Sequence, residues 1–242
     1  MLYLINMENN KFSIKKEVAE TAKEKIIKQK ALWDKQHITR EREHQDLEDV
    51  PNTSAVSIVG YIPKGGTVLE IGPGNGRDAR YFIKEKDCKV IAVEFSENAV
   101  NQMIGASKKD GTFDRLNTIL TDIRDLEAPH VDSVDMFYAR SSLHLSDSDI
   151  YLLFEKIVPA LKIGGYVFIE GKTTQDLKIS RSTLIDDNLL EDKDGHLRRS
   201  WNSDFIEDFC NKIGIKLIEI SDKTEFWQDK EVNFINFLAK KE

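Results

Sequence analysis

The sequence predicts an α/β fold in which a mostly parallel sheet carries helices on both faces, and three observations support this. Short β-branched runs alternate with helical patterns through most of the 242 residues. The first of those runs ends in a turn with three glycines, Gly72, Gly74 and Gly76. Two late apolar runs follow one another with no helix between them. Alternation of strand and helix implies a parallel sheet covered on both sides, whereas two adjacent strands without a crossover imply an antiparallel edge.

The elements follow in order. Ile14, Val18, Ala22 and Ile26 recur every fourth residue among lysines and glutamates, the stripe of an amphipathic helix from about Ser13 to Trp33 that packs on the domain. His37 to Pro51 is nearly all polar and reads as a loop or lid. Thr53 or Ser54 then caps a short helix ending at Gly60. Thr67–Ile71, Lys89–Val93, Thr118–Thr121, Val134–Tyr138 and Tyr166–Glu170 read as strands, with helices over Arg77–Glu85, Glu97–Ser107 and Asp147–Leu161. Lys172 to Trp201 is polar, contains the turn Asp194-Gly195, and reads as an insertion at the carboxyl edge of the sheet. A helix near Asn202–Lys212 precedes the last two strands, Lys216–Ser221 and Asn233–Ala239, which a loop around Phe226 and Trp227 joins. The expected organisation is a helical arm over 1–52 and one domain over 53–242, with the insertion at 172–201.

Composition narrows the function. The formal charge is -7, and the acidity lies in the body, because residues 11–44 alone are +4. An acidic body disfavours a protein held by nucleic-acid phosphates, while the basic arm keeps that partner open. The two cysteines, Cys88 and Cys210, have neither disulfide nor metal-ligand spacing, which suits a reducing, cytoplasmic setting with no metal site. Met1 to Met7 is too short an apolar run for a signal core or a span, so no membrane association is expected. Nothing in the sequence fixes the oligomeric state.

Three constellations carry chemistry. In Val68-Leu69-Glu70-Ile71-Gly72-Pro73-Gly74-Asn75-Gly76-Arg77, the glycines let the backbone approach a ligand closely and the following helix start offers free N–H groups. A dinucleotide turn spaces its last two glycines by two residues, whereas one residue separates each pair here. Glu70 suits a cationic ligand, or else caps a helix or pairs with Arg77 or Arg80. Val90-Ile91-Ala92-Val93-Glu94-Phe95 carries an acid, Glu94, able to accept from two ribose hydroxyls or to serve a helix N-terminus, with an aromatic ring beside it for a base or for the core. Asp122, just past the third run, is placed to accept from an exocyclic amine next to the Ile123 N–H, or is an ordinary turn residue.

Together with Val134–Leu145 and Leu161–Glu170, these segments resemble, in order and spacing, the successive motifs of class I S-adenosylmethionine-dependent methyltransferases, from about Thr53 to the C-terminus. Gly76-Arg77-Asp78-Ala79 and Ala139-Arg140-Ser141-Ser142-Leu143-His144 are also similar to the tellurite-resistance and thiopurine branch. The resemblance implies a Rossmann-like seven-stranded sheet of order 3-2-1-4-5-7-6 with strand 7 antiparallel. It implies that S-adenosylmethionine binds with Glu70, Gly72 and Gly74 at the methionine end and Glu94 at the ribose. Phe95, Asp122 and Ile123 would then face the adenine, and Ala139 and Arg140 the sulfonium. Pro73, where cysteine or glycine is commoner, stiffens the turn and leaves the flanking glycines in place.

The expected reaction is methyl transfer to an oxygen or nitrogen of a small metabolite, with S-adenosylhomocysteine as product. His144, at the end of the fourth strand, is the candidate general base. Trp33, His37, His196 and Arg198 are the candidate acceptor contacts, and Arg199 and Trp201 beside them suit an anionic or aromatic molecule. No Asn-Pro-Pro-Tyr-like run follows the fourth strand, which disfavours nucleic-acid amines, and neither cysteine is placed for a covalent adduct. RNA or protein methylation and a non-catalytic cofactor-binding module are the alternatives.

Overall fold

A computed structural model describes residues 27–39, 50–227 and 230–242. The expected helix from Ser13 therefore lies outside the described residues up to 26. What is described of the arm is a helix over 27–39, α1, so His37 to Thr39 are helical rather than the start of a loop. Residues 40–49 of the expected lid lie outside the described residues.

The body follows as α2 (Thr53–Ile58), β1 (Thr67–Ile71), α3 (Arg77–Lys86), β2 (Lys89–Glu94), α4 (Glu97–Asp110), β3 (Leu116–Leu120), β4 (Val134–Arg140), α5 (Asp147–Ala160) and β5 (Leu161–Thr173). Then come α6 (Leu177–Ser180), β6 (Thr183–Asp186), β7 (Leu189–Glu191), β8 (Leu197–Trp201), α7 (Ser203–Ile213), β9 (Lys216–Trp227) and β10 (Lys230–Lys240). Local chemistry sets the boundaries. Asn52, not Thr53 or Ser54, caps α2 by accepting from the Ala55 N–H, and Ser96, Ser146 and Asn202 cap α4, α5 and α7 in the same way. Gly111 and Gly214 close α4 and α7 in the left-handed conformation.

The main sheet has the order β3-β2-β1-β4-β5-β10-β9, with the first five strands parallel and β10 antiparallel to both neighbours. That is the 3-2-1-4-5-7-6 order. Phe226 and Trp227 are the end of β9, not a joining loop. The insertion is also more ordered than its polarity implies. Its three strands bring the sheet to ten, with β6, β7 and β8 pairing antiparallel and β8 bonded to the end of β5 at Lys172 and Thr173.

The sheet buries both faces, which is why its central strands read as nearly continuous apolar runs. One face packs Leu69, Phe137 and Ile169 against Phe154 of α5 and Phe209 of α7, whose rings meet edge to face at 4.9 Å. The other packs Val68, Val90 and Met136 against Phe82 of α3 and Met103 of α4. Strand order switches sides at β1, flanked by β2 and β4, so the crevice at the carboxyl ends of β1 and β4 is where an open α/β sheet binds ligands.

Candidate active site

The glycine turn occupies that crevice. Gly72, Gly74 and Gly76 all have positive φ, between 58° and 76°. At Gly72 an added Cβ would overlap Ser142, and at Gly76 it would overlap Met103, so both space and φ demand glycine. Gly76 is the N-cap of α3 and offers no side-chain bond, and the Arg77 N–H of the first turn donates to Asn75 Oδ1 at 3.3 Å.

Behind the turn Glu70 is 2% exposed, and its Oε2 has no hydrogen-bond partner among the described residues. Neither Arg77 nor Arg80 takes it: Arg77 approaches Asp78, and Arg80 pairs with Asp110 at 2.9 Å. Burial, reinforced by Asp78 and Glu94, pushes the Glu70 carboxyl well above its usual range. A buried acid with an open acceptor is a poor structural element and a good receptor for a cation.

Glu94 ends β2 beside it. Its Oε1 accepts from the N–H groups of Phe95 and Ser96, both at 2.9 Å, which fixes the rotamer. Its Oε2 accepts from Gly74 N–H at 3.2 Å, so the acid and the turn are directly coupled. Burial raises its pKa, while the three backbone bonds oppose the rise. Phe95, Leu120, Thr121 and Asp122 line a cavity of about 130 Å³, roofed by Ile27 and Lys30 of α1. Asp122 caps the 3-10 turn Ile123–Asp125 and holds the Arg124 guanidinium at 2.6 and 2.8 Å. Burial works to raise its pKa, but the Arg124 bonds prevail and the carboxyl is lowered. Ile123 opens that 3-10 turn and packs on the core.

Ala139 is fully buried opposite Ile71, at the carboxyl end of β4. The Arg140 side chain is committed to Glu170 at 2.6 Å and Glu225 at 2.9 Å, leaving backbone as its contribution to the crevice.

The acceptor-side candidates converge. Trp33 of α1 stacks on His144, with ring centroids 5.5 Å apart and planes 10° from parallel. His196 meets the same indole edge-on at 5.2 Å, and the Arg198 guanidinium lies 5.0 Å from it. His37 alone lies elsewhere, its Cε1 over Gly74. Burial, with the positive field of Arg198, His196 and Lys172, pushes His144 down to about 3, so the imidazole is neutral. The ring is partly exposed, but Nε2 is sealed and has no partner among the described residues. Beneath it is a cavity of about 20 Å³ lined by Ser141, His144, Lys172, Arg198 and Arg199, among others.

Several contacts in this site have no signal in the sequence. Asp34 accepts from Ser96 Oγ at 2.6 Å, tying α1 to the cap of α4. Gln29 spans to the insertion, donating to Gly195 O and accepting from Leu197 N–H. Both are polar residues in a polar stretch, and only the fold brings their partners near.

Cys88 and Cys210 are buried free thiols, each pushed up to about 12 by burial, away from the crevice chemistry. No helix among the described residues is long and apolar enough to cross a membrane.

Comparison with known proteins agrees with this fold. Residues 68–165 match the methyltransferase domain family. An uncharacterised chloroplastic methyltransferase of Arabidopsis thaliana is 31% identical over 185 residues, 74% of this chain and 48% of that protein. Phosphoethanolamine N-methyltransferase 1 of Arabidopsis thaliana is 28% identical over 125 residues, 50% of this chain and 24% of that protein. The chain thus spans at most about half the length of these two relatives. The crystal structure of TehB from Haemophilus influenzae superposes with a TM-score of 0.59 at 15% identity, covering 79% of this chain and 62% of TehB. With its strand order, its glycine turn and its matched domain, the chain has the class I S-adenosylmethionine-dependent methyltransferase fold, with structural neighbours in the tellurite-resistance branch.

Proposed function

We propose that the protein is an S-adenosylmethionine-dependent methyltransferase acting on an oxygen or nitrogen of a small molecule. The observation that carries this reading is the unpartnered Glu70 oxygen behind the glycine turn, a buried acceptor that a cationic ligand satisfies. The cofactor carries both an ammonium and a sulfonium, and its remaining parts fit what lies alongside. Glu94 offers its Oε2 to the ribose once Gly74 N–H is released. Phe95, Asp122 and Leu120 bound a cavity suited to the adenine, with Ile123 beyond them.

Bound S-adenosylmethionine supplies an activated methyl group, and the chain contributes alignment and exclusion of water. Helix α1 covers both sides: Asp34 holds it at α4, and Trp33 closes over His144. Neutral His144 keeps Nε2 free to accept a proton from the nucleophile. A base whose pKa is held near 3 serves only an acidic hydroxyl, and a group already ionised needs no base, so positioning dominates. The names of curated relatives such as the phosphoethanolamine enzyme support a small acceptor.

Calorimetric titration tests the reading. One site for S-adenosylhomocysteine and no response to NAD is expected; tight NAD binding without S-adenosylhomocysteine binding overturns it. Labelled S-adenosylmethionine incubated with the protein and a cell extract should label material that passes a small-molecule filter and survives nuclease and protease. Label lost on nuclease treatment favours an RNA acceptor, and label lost on protease treatment a protein acceptor.

A further inference from the structure

Among the described residues, one cavity gathers several unsatisfied polar groups. Ser141 Oγ, His144 Nε2, and Arg199 Nε and Nη2 are all buried without a hydrogen-bond partner among the described residues, and all three residues line the cavity of about 20 Å³. Arg199 is the most unusual of them, a guanidinium with a side chain 0% exposed. Its Nη1 is bound to Leu145 O at 3.0 Å and to Asp147 at 2.6 Å. The rings of Trp201 and Phe205, edge to face with each other, lie 4.6 and 4.4 Å from the guanidinium carbon. The Nη1 bonds and these two rings hold the guanidinium and leave open the Nε–Nη2 edge, the side that meets two oxygens in a bidentate pair. Desolvation makes an unpaired guanidinium edge costly, and proteins retain such groups where a ligand completes them.

The surroundings have the matching sign. Lys172 and Arg198 line the same cavity, and together with His196 they contribute to holding His144 neutral. The neighbouring acids are already engaged: Glu170 with Arg140, Asp176 with Lys172, Asp192 with Arg198, and Asp147 with Arg199 Nη1. Ser141 adopts a left-handed backbone, φ 51°, that a non-glycine residue seldom takes, as occurs where a side chain is held for a ligand. The space is about the size of one water.

We propose that the acceptor molecule carries a carboxylate that seats on Arg199 Nε and Nη2 and the Ser141 hydroxyl, with His144 Nε2 accepting from a donor of the same molecule. A carboxylate is preferred to a phosphate because a planar pair of oxygens matches the open Nε–Nη2 edge and the cavity is narrow. The proposal rests on the methyltransferase reading only in making this anion part of the methyl acceptor.

The test uses the full chain saturated with S-adenosylhomocysteine, binding of which is measured first and separately reports the methyltransferase reading. Acetate, propionate and benzoate are then titrated alongside their amides and inorganic phosphate, by calorimetry or ligand-detected NMR. At least one carboxylate is expected to bind tenfold or more tighter than its amide. That preference should fall at least tenfold in Arg199→Lys and several-fold in Ser141→Ala, which perturbs packing less. No preference over the amides, a preference unchanged in both variants, or tighter binding of phosphate overturns the proposal. An S-adenosylhomocysteine failure with the carboxylate preference intact overturns the methyltransferase reading alone.

Discussion

The two halves of the crevice are built by different means. On the proposed cofactor side most groups are fixed by near neighbours in the chain, with the Gly74–Glu94 bond as a longer link. Glu94 is held by the N–H groups of the next two residues, Asp122 by Arg124, and the turn by its own glycines. On the acceptor side nearly every contact is long-range: Trp33 on His144 and His196, Gln29 on Gly195 and Leu197, Arg199 on Leu145 and Asp147. Local construction makes the cofactor half rigid and transferable between proteins, while assembly from distant pieces lets the acceptor half change without disturbing the fold.

The largest expected effect breaks the local half. Gly72→Ala forces a Cβ into Ser142 at a φ that favours glycine, and should lower Tm by roughly 5–10 °C. It should also abolish measurable S-adenosylhomocysteine binding, and a calorimetric titration showing wild-type affinity would remove the turn from the site. Next in size is Glu94→Ala, which deletes an acceptor for the ribose and should weaken S-adenosylhomocysteine by about 10–100-fold. An unchanged affinity counts against the ribose assignment. Because Glu94 also braces the turn, Glu94→Gln separates the roles: it keeps the shape and should recover part of the affinity.

This contrast also explains what was legible in the sequence. The alternating elements and the glycine turn were readable because local φ requirements and two-residue or four-residue periodicities imprint directly on sequence, whereas the strand order followed only from the family resemblance. The order of the insertion was not readable, because β6, β7 and β8 are short and lie in a largely polar stretch, and their pairing with one another and of β8 with the end of β5 is set by the fold. His144 and Trp33 were separate suspicions in the sequence, and only the fold stacks them. Ser141 and Arg199 show the limit most clearly. A serine after a strand and an arginine in a charged run carry no mark of burial, yet the fold withdraws both from water.

A pH measurement sharpens the acceptor half. His144 is pushed down to about 3 in the folded protein, below its ordinary value near 6.5, so the unfolded chain binds this proton first. Its contribution to stability is therefore complete above about pH 6.5 and is lost progressively as pH falls towards 3. Glu70 and Glu94 are raised and act in the opposite sense, losing stability as pH rises past their unfolded values. Comparison of His144→Gln with the parent isolates the histidine: the variant should lose less stability between pH 6.5 and 4. Parallel acid limbs in urea titrations of the two proteins would show that the imidazole is not held neutral by the fold.

The smallest effect is expected at the bond that joins the halves. Asp34 accepts from Ser96 Oγ, and the same hydroxyl accepts from Ala99 N–H to cap α4, so one serine serves both the cofactor side and the cover. Asp34→Ala leaves the cap in place and removes only the tie to α1, at a cost of about 1 kcal/mol to closure. If α1 covers a bound cofactor, stopped-flow displacement should show S-adenosylhomocysteine leaving about fivefold faster with little change in Tm, since 1 kcal/mol of closure corresponds to about that factor in rate. Ser96→Ala removes the cap as well and should lower Tm by a few degrees besides. A release rate unchanged by Asp34→Ala would mean that α1 packs on the insertion alone, and that the two halves open independently.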